Sequence, residues 1–189
     1  NANPEKSRTN ELKVKYSFSN SLSFENAFYR SFIEDALLYN SSYKGGSGYT
    51  NNKSDLKQDG IESNIVFKRN KQKLSIFNTI SSSKQTDGSH QLNRPDSTYG
   101  INYNLNIDNS LFGPFDIYYN YKHYGKSFDY APGVTKVDST DIMNFSISKN
   151  IYASVLSLNI SNLLDESYQR PYGYSQNGRL FNIRLKLNY

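Results

Sequence analysis

Apolar and polar residues alternate with a period of two along nine segments of the chain. In the last segment, residues 181–189, an apolar side chain occupies every second position and Asn, Arg or Lys occupies the positions between. The apolar positions are Phe181, Ile183, Leu185, Leu187 and Tyr189. Successive side chains of a β-strand point to opposite faces, so this pattern predicts a strand with one apolar and one polar face.

The other eight segments repeat this pattern. They cover residues 12–18, 22–32, 61–67, 74–80, 99–107, 115–121, 143–147 and 156–160. With its flanking residues, each reaches roughly the 9–11 residues that a tilted strand needs to cross a membrane. The sequence therefore predicts an all-β fold of nine strands.

The connections between these segments alternate in length. Short turns are predicted at residues 19–21, 69–71, 108–113 and 149–150, and long polar loops at residues 34–59, 82–96, 126–138 and 163–178. Transmembrane β-barrels have short periplasmic turns and long extracellular loops. The alternation therefore indicates antiparallel strands of such a barrel.

A soluble β-sandwich is the alternative, because its strands alternate in the same way. The regular sorting of short and long connections and the placement of charge both favour the membrane interpretation. Mid-strand charges fall on the polar faces: Lys13, Lys15, Glu25, Glu62, Lys68, Asp116, Lys122, Arg184 and Lys186. Arg30 has the opposite parity, but it lies near the end of its strand, where a guanidinium can reach the lipid headgroups.

Composition narrows the possible functions. The chain of 189 residues has a mean hydropathy of -0.74 and contains no apolar run long enough for a membrane-spanning helix. It has no Cys, which excludes disulfides, thiolate metal sites and cysteine nucleophiles. The net charge of +5 is not gathered into a basic block, so we expect no nucleic-acid binding.

Both ends of the chain carry short motifs. NLLDESY at residues 162–168, GY at 173–174 and GR at 178–179 resemble the N-L-F-D-x-x-Y…GY…GR ending of TonB-dependent outer-membrane receptors. NPEKS at residues 3–7, followed by Glu11, is similar to a segment of the same family. The alternating last strand with its terminal aromatic residue resembles the closing strand of outer-membrane barrels.

This resemblance implies an antiparallel transmembrane β-barrel of roughly 22 strands. Single-chain bacterial barrels normally have an even number of strands, so nine strands are expected to be part of a larger barrel. We therefore predict that residues 1–189 are the carboxy-terminal part of the barrel, without the amino-terminal plug domain. The expected location is the outer membrane.

The resemblance also implies uptake of a scarce nutrient, either cobalamin or a ferric siderophore. The compact ending around residues 172–174 and 178–179 resembles cobalamin receptors and favours cobalamin. The implied partners are outer-membrane lipid, the plug and amino-terminal strands of the receptor, TonB acting through the plug, and the barrel-assembly machinery. That machinery is expected to recognise the apolar positions of the closing strand from Phe181 to Tyr189.

The alternative function is a small structural or adhesive outer-membrane barrel that imports nothing. Such a barrel requires an even strand count, so one long loop would have to contain a further strand, with residues 35–39 as the best candidate. It also requires the first strand to pair with the last. These two features distinguish it from the receptor.

Catalysis is not expected. The chain has two histidines: His90 lies in a polar loop, and His123 shares the outward parity of Tyr119 and Tyr121. Neither accompanies a nucleophile and an orienting group, so no enzyme activity is predicted. No cofactor or metal site is predicted either, since GGSG at residues 45–48 lacks the context of a phosphate loop and the carboxylates lack calcium-motif spacing.

Tyrosines in the long loops are the candidate ligand contacts, because a flat amphipathic ring suits a large solute. They are Tyr39, Tyr43, Tyr49, Tyr130, Tyr168, Tyr172 and Tyr174. Packing within the loops, or an aromatic belt at the membrane interface, is the alternative role for each of them.

Overall fold

A computed structural model describes residues 2–43, 46–51, 55–86, 88, 94–108, 113–129 and 135–187. The strands are β1 (Lys6–Ser17), β2 (Leu22–Glu34), β3 (Leu37–Tyr43), β4 (Gly46–Asn51), β5 (Leu56–Arg69), β6 (Gln72–Gln85), β7 (Ser97–Ile107), β8 (Phe115–Tyr124), β9 (Ser127–Asp129), β10 (Thr135–Val137), β11 (Thr140–Ile151), β12 (Ser154–Ser161) and β13 (Leu180–Leu187). The described residues include no helix that is long and apolar enough to cross a membrane.

Nine strands form one antiparallel sheet in the order β1-β2-β5-β6-β7-β8-β11-β12-β13. These are the nine strands that the alternation predicts, so the predicted all-β class and the antiparallel sheet are confirmed. Each strand pairs with the strand that follows it in this order, as expected for hairpins joined by alternating short and long connections.

The strand register brings the apolar positions onto one face. Leu105, Ile117, Ile147, Leu158 and Ile183 are successive cross-strand partners and make an unbroken row over five strands. Directly opposed residues share a face of the sheet, so the parity predicted for each strand adds up to one continuous apolar surface. We call this surface the apolar face and the opposite surface the polar face.

Among the described residues, no second layer covers the apolar face. Ile183 keeps 75% of its surface exposed, and no large side chain among the described residues is fully buried. A β-sandwich would pack a second sheet against this surface. The two other sheets of the described chain are the two-stranded hairpins β3-β4 and β9-β10. The sandwich alternative is therefore wrong, and the apolar face is suited to lipid.

The long loops contain structure that the sequence analysis did not predict. The loop predicted at residues 34–59 contains the β3-β4 hairpin, and the loop at residues 126–138 contains β9-β10. Residues 35–39 were the candidate for a tenth strand of the sheet, but β3 pairs with β4 in a separate sheet. In addition, β1 and β13 are the two edges of the main sheet. The described sheet therefore lacks the closure that a small complete barrel requires.

One predicted turn is misplaced. The turn expected at residues 149–150 lies at residues 152–153, because Lys149 and Asn150 continue the ladder opposite Leu156 and Val155. The chain reverses at Tyr152, whose φ of 51° is left-handed. The predicted turn at residues 69–71 is confirmed, and Asn70 has a φ of 51° there. Asn adopts this conformation more readily than Tyr, which explains why the turn at Asn70 was recognisable from sequence and the turn at Tyr152 was not.

Aromatic rings on the polar face lie over glycines of the neighbouring strands. Phe77 is the cross-strand partner of Gly100, and Tyr29 is the partner of Gly60. A Cβ atom at Gly100 would approach the Phe77 ring to 2.7 Å and overlap the backbone carbonyl of Tyr121. A Cβ atom at Gly60 would overlap only the hydroxyl end of the Tyr29 ring.

We therefore expect Gly100→Ala to destabilise the folded protein by about 1–3 kcal/mol, since backbone must move to relieve the overlap. Gly60→Ala is the control and should cost less, because a side chain can swing away. The measurement is urea unfolding of the full-length protein in lipid vesicles, followed by heat-modifiable electrophoretic mobility. Equal losses for the two variants would contradict the assignment of the Gly100 constraint to backbone.

Candidate functional site

The polar face carries a chain of hydrogen-bonded asparagine side chains. Asn120 donates to Asn102 at 2.8 Å, and Asn144 donates to Asn120 at 3.1 Å. The backbone N–H of Asn162 donates to the side-chain oxygen Oδ1 of Asn144 at 3.1 Å. A side-chain amide has both a donor and an acceptor, so one Asn can bond to the Asn side chains on the strands to either side of it. The network joins β7, β8 and β11 to the start of the last loop.

Asn162 holds the base of that loop. It is 4% exposed and has a φ of 50°. Its side-chain oxygen accepts the Glu166 N–H at 3.0 Å, and its amide nitrogen donates to the backbone oxygens of Glu166 at 2.9 Å and Asn177 at 3.2 Å. One buried side chain therefore ties both arms of the loop together. We call this arrangement the Asn162 staple.

Asp165 makes a second connection between the same arms. Its Oδ1 accepts the Arg179 N–H at 2.7 Å, and its Oδ2 lies 3.8 Å from the Arg179 guanidinium. Asp165 has a φ of 60°. The NLLD and GR motifs therefore meet in space, and the contacts described explain them as a loop closure.

The NPEKS motif at the other end of the chain also docks onto a loop. Asn51 donates to the Asn3 carbonyl oxygen at 2.9 Å and to the Asp35 carbonyl oxygen at 2.6 Å, and Asn3 N–H donates to the Asn51 side chain at 2.6 Å. Glu5 accepts the Leu37 N–H at 3.2 Å. This motif therefore fixes the base of the β3-β4 hairpin.

The predicted ligand-contact tyrosines fall into two groups. Tyr39 and Tyr49 are cross-strand partners in the β3-β4 hairpin, Tyr43 lies at the end of β3, and Tyr49 is 67% exposed. In the last loop, Tyr168 is half-buried, and Tyr172 and Tyr174 are exposed on either side of Gly173, which has a φ of 82°. Tyr130 lies outside the described residues. The contact of these side chains with ligand stays a prediction.

The predicted assembly signal lies on the edge strand β13. Phe181, Ile183, Leu185 and Leu187 are all more than half exposed on the apolar face. Tyr189 lies outside the described residues. The role of this strand in recognition by the assembly machinery stays a prediction.

A cluster that the sequence analysis did not predict lies at the loop-side end of β8. The Arg170 guanidinium donates to the Gly125 carbonyl oxygen at 2.7 Å and to that of Asp138 at 3.4 Å, and it lies 5.0 Å from the centre of the Tyr124 ring. Lys122 Nζ lies 4.5 Å from the same ring centre. Burial lowers the pKa of Arg170.

Lys122 and Tyr124 belong to the polar face, because they alternate with the apolar-face residues Tyr121 and His123. The sequence pattern predicts only the polar parity of Lys122. Arg170 contacts the Tyr124 ring, although the two residues are 46 positions apart in the sequence. No local pattern relates two positions so far apart, so only the tertiary structure could bring them together.

A different polar cluster lies on the apolar face at the same end of the strands. His123 stacks on Tyr99 with ring centres 4.5 Å apart, and its Nδ1 lies 2.8 Å from the Asp141 carboxylate. Tyr121 donates its hydroxyl to the same carboxylate at 2.6 Å. Stacked and hydrogen-bonded rings of this kind suit a membrane interface, with apolar faces toward lipid and polar atoms toward headgroups. His90 lies outside the described residues.

Arg30 also lies on the apolar face near the loop-side end. Its guanidinium pairs with Asp59 of the neighbouring strand, and Lys57 Nζ lies 3.5 Å from the second Asp59 oxygen. That the Arg30 guanidinium reaches the lipid headgroups stays a prediction. The structure adds a partner that the sequence did not predict, since cross-strand pairing places the Asp59 carboxylate directly opposite Arg30.

Comparisons with solved structures show the same fold in outer-membrane receptors. The ferripyoverdine receptor of Pseudomonas aeruginosa has a TM-score of 0.76 and 14% identity, with 97% of this chain and 27% of that chain covered. The ferric yersiniabactin uptake receptor FyuA of Yersinia pestis has a TM-score of 0.73 and 17% identity, with 95% and 28% covered. The copper transporter OprC has a TM-score of 0.77 and 14% identity, with 100% and 32% covered.

The chain thus spans between 27% and 32% of the length of these three proteins. A comparison with curated proteins found no match. A family model described as "TonB dependent receptor-like, beta-barrel" matches residues 1–163. Proteins of this family are receptors and transporters, not enzymes, and their barrels lie in the Gram-negative outer membrane. Because this match covers most of its length, the chain belongs to the TonB-dependent receptor-like β-barrel family.

Proposed function

We propose that this chain is the carboxy-terminal part of the barrel of a TonB-dependent receptor that imports a scarce nutrient across the outer membrane. The family match supports this role. In the described sheet, β1 and β13 are the outermost strands and do not pair with each other. This observation supports the proposal that further strands complete the barrel. In a full barrel of roughly 22 strands, each edge would gain a partner and its unpaired backbone groups would be satisfied.

In this proposal the apolar face contacts lipid and the polar face lines the lumen. The asparagine network and Lys122 would then face the plug domain and the passing solute. The long loops capture the solute, and energy transmitted through TonB displaces the plug. The barrel-assembly machinery inserts the receptor by recognising the strand that contains β13.

The solute class proposed is a ferric siderophore or cobalamin. The resemblance of the ending at residues 172–174 and 178–179 to cobalamin receptors stays a prediction. Within this ending, Asp165 and Arg179 also close the loop, as does the Asn162 staple. The exposed Tyr49, Tyr172 and Tyr174 remain the proposed loop contacts for either solute.

The test is uptake in the native host. Deletion of the complete receptor gene is expected to abolish uptake of one radiolabelled solute from a set of ferric siderophores and cyanocobalamin. The complete gene should restore uptake, and residues 1–189 alone should not. Restored uptake should also disappear in a strain that lacks TonB. Unchanged uptake of every solute would contradict the import function and favour a structural or adhesive barrel.

A further inference from the structure

The apolar face changes to a basic surface at the loop-side ends of β1, β2, β5 and β6. An exposed apolar row is formed there by the successive cross-strand partners Leu12, Phe28, Ile61 and Ile80. The next row toward the loops consists of Asn10, Arg30, Asp59 and Ser82, and the row beyond it consists of Arg8, Phe32, Lys57 and Lys84. These two rows contain four cations and one carboxylate. We call them the basic rim.

Two lysines of the basic rim lie directly opposite each other. Lys57 and Lys84 are partners in the β5-β6 ladder. Like charges in this position destabilise a sheet. Asp59 lies 3.5 Å from Lys57 Nζ, but the same carboxylate also pairs with Arg30, so one acidic group serves two cations. An anion placed between the two lysines would relieve their repulsion.

The position of β5 and β6 within the sheet separates this rim from the remainder of the receptor. β5 lies between β2 and β6, and β6 lies between β5 and β7. Strands that complete the barrel would pair with the edges β1 and β13, so they do not neighbour either lysine. The basic rim also lies on the apolar face, opposite the face that lines the lumen. Lipid is therefore the surrounding phase.

A groove of about 670 Å³ adjoins the basic rim on the same face. Its lining includes the four residues of the apolar row, together with Arg30 and Asp59 at the loop-side edge. An acyl chain can pack on the apolar part, and a charged headgroup then lies beside the cations. The groove thus has the amphipathic character of a lipid, whereas a free anion would leave its apolar part unfilled.

The remainder of the loop-side boundary differs from this region. Tyr99, His123 and Asp141 occupy it on β7, β8 and β11, and the loop-side halves of these strands have no Lys or Arg at apolar-face positions. A general belt for lipid headgroups would distribute its cations along the whole boundary. The cations are instead concentrated beside the groove, which indicates one bound lipid molecule.

We propose that a phosphorylated lipid of the outer leaflet binds to the outside of the barrel at this site. An acyl chain lies in the groove, and a phosphate lies between Lys57 and Lys84, where Arg30 supports it. Three cations supply charge-assisted hydrogen bonds to the phosphate oxygens. The bound lipid neutralises the opposed lysines and joins the loop-side ends of β5 and β6. This inference goes beyond the proposed import function.

The test is native mass spectrometry of the complete receptor, purified in detergent and freed of lipid. Bisphosphorylated lipid A is the probe, and phosphatidylcholine is its zwitterionic counterpart. Lys57→Gln combined with Lys84→Gln is expected to weaken lipid A binding by about tenfold or more. Lys57→Arg combined with Lys84→Arg keeps both charges and should retain the binding. Heat-modifiable mobility checks that each variant is folded.

The matched control is Lys68→Gln combined with Lys73→Gln. These lysines are also directly opposed on β5 and β6, but they lie on the polar face at the turn end of the strands. This variant loses the same charge and should bind lipid A within about twofold of the wild-type affinity.

Equal lipid A affinities of the two glutamine variants would overturn the site. Wild-type receptor that binds phosphatidylcholine as tightly as lipid A would contradict recognition of the phosphate charge. Displacement of lipid A by an excess of inorganic phosphate would reassign the site to a free anion and end the lipid proposal. Each of these outcomes leaves the import function standing, because that function is tested by uptake.

Discussion

Replacing Ile183 with lysine should destabilise the folded barrel by about 2–4 kcal/mol, the cost of a basic side chain on the lipid face near the bilayer midplane. Ile183 is the fourth of eight residues in β13, and it is 75% exposed on the apolar face opposite Leu158. A lysine there would lie about halfway along the strand, with the longest path to either headgroup region. The loss should appear as a lower midpoint of urea unfolding in lipid vesicles.

The control for this prediction is the next residue. Asn182→Lys places the same charge on the same edge strand, but on the polar face opposite Asn159. We expect this variant to unfold near the wild-type midpoint, because its ammonium group remains in the aqueous lumen. Similar losses for the two variants would contradict the assignment of the faces, and with it the membrane-spanning orientation of the sheet.

Replacing Asn162 with alanine should release the last loop while leaving the nine-stranded sheet folded. The change removes the partner of the Glu166 N–H and the amide bonds to Glu166 and Asn177, and it places alanine at a left-handed φ. A loss of about 2 kcal/mol in local stability corresponds to roughly 30-fold faster opening. Limited proteolysis of the intact receptor should therefore cleave residues 163–179 about that much faster.

Two further variants separate the causes. Asn162→Gly keeps the left-handed backbone accessible but removes the side-chain bonds, so it should also expose the loop. Asn177→Ala preserves the backbone oxygen that Asn162 uses and should be cleaved at the wild-type rate. If Asn162→Gly matched wild type, backbone conformation and not the Asn162 staple would hold the loop.

The sequence by itself determined the nine strands of the main sheet and their faces. The parity of residues such as Leu105, Ile117 and Leu158 follows from local backbone geometry, because side chains alternate whatever the strand pairs with. Hairpins with short turns then fix the neighbouring strand, so the order of the sheet was also predictable. The end motifs identified the family, although their physical role as loop closures was not visible in one dimension.

Only the tertiary structure decided the contacts between distant segments. Arg170 meets Tyr124, Asn51 meets Asn3, and Arg30 meets Asp59 through loop conformation and strand register. The β3-β4 hairpin was not predicted, and the turn at Tyr152 was misplaced because Tyr rarely adopts a left-handed φ. Alternation is a property of one strand and its two surroundings, whereas a binding site depends on where separate segments meet in space. The sequence pattern therefore predicts the strands of the main sheet. The contacts of Arg170 with Tyr124 and Gly125 are visible only in the tertiary structure.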